Sequence, residues 1–175
     1  MKKVILTMLV AFASTSFYGQ AVFDQFNGKD EVVSVVVNKK MFELMSKVKV
    51  DASDKETQQY LKLIQNLNDL RVFSTTNKAA AQKMKEVADG YIKTSAMEEL
   101  KKVNENGKQI TIDVKRTGNS NVMNEFVMFI QDDTNGMSRT VLMSLTGVFN
   151  LEDISILTDK MQIPGGTELK KLTQK

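Results

Sequence analysis

The last third of the chain carries the pattern that most restricts the fold. The segment that begins this part alternates apolar residues (Ile110, Ile112 and Val114) with polar ones, so one of its faces is apolar and the other is exposed to solvent. Residues 122–131 are apolar on both parities, as in a buried middle strand, and residues 139–146 supply a third strand. Turn sequences at 117–120 and 132–136 separate the three. The pattern predicts a three-stranded antiparallel meander and excludes a near-continuous helical bundle.

The first two thirds of the chain mix extended and helical patterns. The valine-rich run 31–37 is apolar on both parities, which favours a central strand, and residues 70–76 return to strand composition. A short helix is expected at 97–103, and Asn150 is expected to cap a last helix. Apolar residues at helical spacing predict three further helices, which carry Met41, Leu44, Met45 and Val48; then Tyr60, Leu63, Ile64 and Leu67; then Ala80, Met84, Val87, Ala88 and Tyr91.

Strands that cluster late, with helices interspersed early, predict the α+β class. The expected architecture is a single mixed sheet of about five strands, with a C-terminal three-stranded antiparallel meander and helices mainly on one face. The order of the strands in the sheet does not follow from these patterns.

The N-terminus has the three parts of a cleavable signal peptide, predicted at residues 1–21. Lys2 and Lys3 precede an apolar run, and small polar residues follow it. Cleavage after Ala21 places small residues at both positions that the peptidase reads, and cleavage after Gly19 is the alternative. A retained membrane anchor is the competing interpretation, but the apolar run is shorter than the ~20 residues that a bilayer requires. The sequence therefore predicts export to the periplasm or the outside of the cell.

Two missing residue types exclude much of the usual chemistry. The chain has no cysteine, which excludes lipid attachment of the bacterial lipoprotein kind, disulfides, thiolate catalysis and cysteine zinc sites. It also has no histidine, the commonest general base and metal ligand. No glycine-rich phosphate loop occurs. We therefore expect no enzyme, no catalytic residue, no cofactor and no metal; two or more carboxylates that converge in a cleft would favour an enzyme after all.

The charge balance argues against nucleic acid as a partner. The formal net charge is +3, and removal of residues 1–21 takes away two lysines and no acid, which leaves +1. The remaining lysines are interleaved with acids, as on a solvated surface. The mature part is the size of one domain. We assign residues 22–163 to that domain and residues 164–175 to a polar, mobile tail.

Two local features suggest chemistry and have simpler structural interpretations. Ser34 with Lys39 or Lys40 resembles a Ser–Lys dyad, but Ser34 falls inside a strand and the lysines at a helix start. The acidic turn 132–136 resembles a calcium loop, but it lacks the distal glutamate and the ligand spacing.

Methionine is abundant, and clustered thioethers could bind Cu(I). Met41 and Met45 lie on an apolar helix stripe, and Met123 and Met128 are expected on opposite faces of their strand. Flexible core filling is the favoured interpretation.

With these segments placed, the chain resembles a family of small exported Bacteroidetes proteins that carry a domain of unknown function (DUF4252). The similarity rests on Phe23-Asp24-Gln25-Phe26, on the run from Ser34 to Met45, and on the run from Ser144 to Ile154, and it spans about residues 23–161. The resemblance implies export and an α+β fold, and it brings no catalytic or binding residues. Genes of such proteins often stand beside extracytoplasmic-function sigma factors, which would suit an envelope-response role.

The leading functional hypothesis is a non-catalytic envelope protein that acts as a protein-binding or envelope-response module. The alternative is a binding module for a small apolar or lipidic ligand, suggested by the many Met and Phe residues. An exposed apolar patch would favour the first hypothesis and a concave apolar pocket the second. A stable membrane anchor after signal cleavage is not expected.

Overall fold

The computed structural model describes residues 20–49, 54–118, 121–136, 138–163 and 166. A 3₁₀ helix opens this part of the chain at Gln20–Phe26. The strands are β1 (Val33–Asn38), β2 (Leu67–Thr75), β3 (Glu98–Glu105), β4 (Lys108–Arg116), β5 (Met123–Asp132) and β6 (Arg139–Phe149). The helices are α1 (Lys39–Met45), α2 (Lys55–Gln65), α3 (Lys78–Thr94) and α4 (Leu151–Lys160), and a short 3₁₀ helix at Thr134–Gly136 joins β5 to β6.

The six strands form one sheet in the order β1-β2-β6-β5-β4-β3, which places the chain in the predicted α+β class. Every strand pair is antiparallel, so the expectation of a mixed sheet of about five strands is wrong in both details. Helices α1 and α2 connect β1 to β2, which lies beside β1 and runs in the opposite direction. The predicted meander of β4, β5 and β6 is confirmed, and β3 extends it to four strands.

Helices cover both faces of the sheet. On one face, which we call face A, the core contains buried residues of α1, α2 and α4 (Phe42, Leu63, Ile64, Ile154 and Leu157). On the opposite face, face B, the core contains residues of the N-terminal 3₁₀ helix and α3 (Phe23, Phe26, Met84, Ala88 and Tyr91). Three of the four described α-helices thus share one face, as predicted, whereas the longest lies on the other.

Helix α3 carries the chain across face B from one side of the sheet to the other. Four strand spacings separate β2 from β3, about 19 Å in total, and the 17 residues of α3 span about 25 Å. The helix is therefore long enough to make this crossing, and it packs against β2, β6 and β5 on the way. Its last turns reach towards β3 and β4, where the cleft described below is found.

Helix α4 begins at a complete capping box. The Asn150 side chain accepts a hydrogen bond from the Asp153 backbone N–H, and the Asp153 carboxylate accepts one from the Asn150 N–H, both at 2.9 Å. The predicted cap is therefore confirmed. The pair satisfies two of the backbone donors that a helix N-terminus leaves unpaired.

Replacing Asn150 by alanine should lower the free energy of unfolding by about 1 kcal/mol, because the first turn of α4 loses its acceptor. Urea denaturation of the protein measures this loss. Asn104→Ala, at an exposed position on β3, is the control and should change stability by less than about 0.5 kcal/mol. Equal stability of Asn150→Ala and the unsubstituted protein would contradict the capping role.

Two predicted segments lie wholly or largely outside the described residues and stay predictions. Residues 1–19 of the signal segment and nearly all of the tail 164–175 are in this group. Ala21, the predicted cleavage position, lies exposed in the 3₁₀ helix. Among the described residues, the first apolar side chain that is fully buried is Phe23, two residues further on, so cleavage after Ala21 is compatible with an intact core on face B.

Candidate functional site

Strand β1 forms one border of the sheet, so the prediction that it is a central strand is wrong. Within the described residues its only partner is β2, and the pairing runs unbroken from Val33↔Ser74 to Asn38↔Asp69. The other side of β1 therefore presents backbone N–H and C=O groups to which no described strand is paired. The strand Val-Ser-Val-Val-Val-Asn contains no charge and no proline, and its pairing contains no bulge. Proteins commonly use charged residues, proline and bulges to prevent an edge strand from pairing with another strand, and β1 has none of the three.

The opposite border of the sheet is blocked. Strand β3 carries five charged residues among eight (Glu98, Glu99, Lys101, Lys102 and Glu105). Its register with β4 also shifts between Glu99 and Lys101, which marks a bulge. The two borders of one sheet thus differ sharply: one is charged and irregular, the other uncharged and regular.

The open border is also apolar on face A. Val33, Val35 and Val37 share that face because side chains alternate along a strand. Val37 is buried, whereas Val33 is 73% exposed and Val35 46% exposed. Helix α1 starts directly after β1 and covers only the Val37 end of the strand.

Helix α1 and the residues just after it carry further exposed apolar side chains close in sequence to β1. Met41, Leu44 and Val48 were predicted to face the core, but Leu44 and Val48 are each 59% exposed and Met41 is exposed as well. Phe42 is the fully buried residue of α1, and Met45 packs partly against the same core. We call Val33, Val35, Met41, Leu44, Val48 and the outer backbone of β1 the β1–α1 edge.

Opposite charges flank the uncharged strand. Asp30 and Glu31 precede it, and Lys39 and Lys40 follow it. Asp30, Glu31 and Lys40 are exposed; the Lys39 Nζ donates a hydrogen bond to the Gln65 carbonyl at 2.7 Å. The β1–α1 edge therefore has an apolar centre with an acidic end and a basic end.

A polar cleft lies on face B, between α3 and the β3–β4–β5 part of the sheet. Its volume is about 390 Å³. Three carboxylates line it: Asp89 from α3, Glu99 from β3 and Asp113 from β4. Lys85, Lys93 and Lys102 line it too, and the Lys85 Nζ lies 2.6 Å from the Asp89 carboxylate. The described residues contain no group of three acidic side chains placed to hold a metal ion.

Asp113 is the unusual member of this cleft. Its side chain is on the wet face that the alternation of β4 predicts, yet the residue is only 6% exposed. Its direct cross-strand neighbour on β3 is Glu99, a like charge. Burial, and then the nearby Glu99 and Asp89 charges, raise the pKa of Asp113 from 3.8 to about 6, against a smaller opposing effect of Lys102. The carboxyl is therefore held in an unfavourable environment whenever it is ionised.

Two or more carboxylates that converge in a cleft would favour an enzyme, and this cleft meets that condition only in part. Glu99 and Asp113 do converge as opposed residues of β3 and β4, but Asp89 is held by Lys85 in an ion pair. A carboxylate pair without a defined substrate position is insufficient to assign a reaction.

The Ser–Lys pair considered in the sequence has separate hydrogen-bond partners in the structure. The Ser34 hydroxyl donates to the Asn27 side chain at 2.9 Å, and Lys39 binds the Gln65 carbonyl. The acidic turn 132–136 has a local structural role, since the Asp132 carboxylate accepts a hydrogen bond from the Thr134 N–H at 3.1 Å.

The methionines that the sequence singled out lie mostly in the core. Met123 and Met128 are buried in the same face A core, so their predicted placement on opposite faces is wrong. In the pairing with β4, two residues of β5 from Met123 to Glu125 advance against one residue of β4, and this extra residue in β5 changes the parity. Met84 and Met143 are buried as well, which agrees with core filling.

Sequence reasoning missed both features of greatest interest. The valines of β1 were recognised, but their place at a border depends on strand order, which no local pattern encodes. The oppositely charged pairs on either side of an uncharged strand are the signal that could have marked it. For Asp113, an acid in the middle of a β-branched strand was the available signal.

Comparisons with known proteins give one result. The family model described as a domain of unknown function (DUF4252) matches residues 26–157. No curated protein and no solved structure matches the chain. Among the described helices, none has the length and apolar character needed to span a bilayer.

Proposed function

Because the chain belongs to the family described as a domain of unknown function (DUF4252), whose description names no activity, we propose a function from the geometry. The protein is an exported, non-catalytic envelope protein that binds another protein through the β1–α1 edge. The observation that carries this proposal is the contrast between the two borders of the sheet, of which only β1 is uncharged, regular and apolar.

Strand addition is the binding mode that this edge supports. An extended segment that lies beside β1 would pair with its outer N–H and C=O groups, and these bonds supply affinity. Alternate side chains of the segment would meet Val33 and Val35 on face A. The matching segment is itself uncharged, because a charged side chain placed against these valines would lose hydration without a partner.

The ends of β1 complete the pattern of an interface. Protein interfaces have an apolar centre and a polar rim. A polar cleft of about 580 Å³ lies at the start of the strand, with Asp30, Glu31, Ser74 and Arg139 in its lining. Lys39 and Lys40 stand at the other end. The rim would orient a partner whose apolar contacts are made along the strand.

The alternative, a module for a small apolar or lipidic ligand, has less support. The cleft beside α3 is lined mainly by charged and amide side chains, and the cleft at the start of β1 is similarly polar. A third cleft of about 400 Å³, between the N-terminal 3₁₀ helix and α3, has a mixed lining, in which the apolar Phe26, Val32, Ala79 and Ala80 stand beside Gln25, Lys29, Glu31, Asn77 and Lys83. These linings favour polar contents over a lipid chain.

Site-specific crosslinking tests the proposed function. A photoreactive phenylalanine analogue at position 35, in cells that naturally produce the protein, should join the chain covalently to a protein bound along β1. The matched control carries the analogue at Val148, an exposed valine on β6, and should give no such product. Absence of a product from position 35, or equal products from both positions, would contradict binding at the edge.

A further inference from the structure

The β1–α1 edge also indicates which protein it binds. We propose, on the basis of the function proposed above, that the partner is a second copy of this chain, paired through β1 in an antiparallel, two-fold symmetric arrangement. The product is one continuous sheet of twelve strands, six from each copy. A second copy that is exported with the first is itself an envelope protein, so the proposal narrows the expected class of partner.

The first argument is the register that the faces allow. Residues directly opposed across an antiparallel pair point to the same face of the sheet. If the two copies keep face A continuous, a residue of β1 must therefore lie opposite itself at the symmetry axis. With Val35 at the axis, Val33 lies opposite Val37 of the second copy, and Ser34 lies opposite its Val36. Every opposed pair inside the strand is then uncharged.

The second argument is the charge at the two ends. The two-fold axis brings the N-terminal end of each β1 beside the C-terminal end of the other, so Asp30 and Glu31 of one copy meet the end at which α1 of the second copy begins with Lys39 and Lys40. The symmetry repeats this arrangement, so an acidic end meets a basic end on both sides of the joint. The charges of this segment are thus arranged symmetrically about Val35, as an isologous interface requires. A strand that binds an unrelated segment has no need of this symmetry.

The third argument concerns closure. Two copies joined through β1 leave two free borders, and both are β3 strands, which are charged and bulged. Charged residues and a bulge disfavour pairing with a further strand, so neither border is expected to extend the sheet. The assembly therefore stops at two copies and does not grow into a fibre. The exposed Leu44 of α1 and Val48, which follows the helix, are further apolar side chains close in sequence to the joint.

Sedimentation equilibrium of the exported domain gives the primary test. We expect a molar mass of twice that of the chain, and Val35→Lys should return it to that of one chain, because two lysines would face each other at the axis. Val148→Lys introduces the same charge at another exposed valine and should remain dimeric. Circular dichroism and urea denaturation check that the lysine variants are folded.

A charge reversal tests the register itself. Asp30→Lys and Lys40→Asp, each made alone, bring like charges together at both ends of the joint and should weaken association about tenfold. The double variant restores opposite charges and should recover the original dissociation constant. Additive weakening in the double variant would overturn the register.

The outcomes separate this inference from the proposed function. A single-chain mass together with a crosslink from position 35 to a different protein overturns the second copy and keeps the binding edge. A single-chain mass without any crosslink from position 35 overturns both. A dimer that Val35→Lys does not affect places the interface elsewhere and overturns the inference.

Discussion

Replacing Gly147 by alanine should cost about 3–5 kcal/mol of unfolding free energy, because strain and overpacking act together at this position. Gly147 lies in β6 opposite Leu67, with φ at +149°, a backbone conformation that L side chains rarely adopt. A Cβ at this position would lie 2.5 Å from the Asn66 carbonyl oxygen and 2.7 Å from the Leu67 Cα. Both are backbone atoms, and the Asn66 oxygen also accepts a hydrogen bond from Val148, so neither can move cheaply.

Urea denaturation of Gly147→Ala measures the loss, with Gly90→Ala as the matched control. Gly90 lies exposed in α3, and a Cβ there would have no atom within 4 Å. Because alanine is the better helix former, the control should gain about 0.5–1 kcal/mol. If Gly147→Ala lost less than about 1 kcal/mol, the close approach of β6 to the α2–β2 junction would be wrong.

Replacing Asp113 by asparagine should stabilise the protein at pH 7.5, by up to about 3 kcal/mol. The pKa of Asp113 is raised from 3.8 to about 6 in the folded protein, first by burial and then by Glu99 and Asp89. At pH 7.5 the carboxyl is ionised in both states, and only the folded state bears the cost of its burial; each pKa unit is worth about 1.4 kcal/mol. Asparagine has almost the same shape and no charge, so it removes this cost.

The advantage of the variant should depend on pH in a defined way. As the pH falls below about 6, the folded protein binds a proton at Asp113 before the unfolded chain does, so the unsubstituted protein gains stability. The gain is complete below about pH 3, where both states are protonated, and the two proteins should then be equally stable. The other charged groups that face the cleft (Asp89, Glu99, Lys85, Lys93 and Lys102) are present in both proteins.

Urea denaturation at pH 7.5 and at pH 3 checks both statements. Glu105→Gln is the control, since Glu105 is an exposed acid at the far end of β3; the variant should differ from the unsubstituted protein by less than about 0.5 kcal/mol. A loss of stability in Asp113→Asn at pH 7.5 would mean that the ionised carboxyl has a favourable partner.

Much of the fold could be predicted because its signals are local. The alternation of Ile110, Ile112 and Val114 gives β4, and the both-sided apolar run gives β5, an interior strand that is covered on both faces. Asn150 begins α4 because a side-chain acceptor at that position serves the first turn. Each of these features depends on residues that are neighbours in sequence.

Residues 97–103 were predicted to form a short helix, but Glu98–Glu105 form strand β3. This error has a physical cause. Leu100 and Val103 are three residues apart, which is helical spacing, and both pack partly against the face A core. In a regular strand they would point to opposite faces. The bulge between Glu99 and Lys101 adds a residue, so the two side chains reach the same face of β3. A bulge can therefore imitate a helix in the pattern of apolar residues.

Strand β1 was predicted to be a central strand, but it forms a border of the sheet. This error has a different cause. Val32 and Val36 contribute to the face B core, and Val37 contributes to the face A core, so valines of both parities do have contacts. Apolar residues at both odd and even positions therefore indicate only that a strand has contacts on both faces of the sheet. An edge strand can have such contacts at one of its ends. Whether a further strand lies beside it depends on the path of the distant α3, which takes β3 to the other border. The candidate binding edge was hidden from the sequence for this reason.

Amide hydrogen exchange along β1 is the most direct test of the proposed binding edge. If β1 pairs with another strand, amides at every second position of Val33–Asn38 should become protected as the protein concentration rises through the dimer dissociation constant, whereas those of β3 should not change. Val35→Lys should remove this protection. Exchange in β1 that is fast and independent of concentration, or protection that appears in β3 instead, would contradict a binding edge at β1.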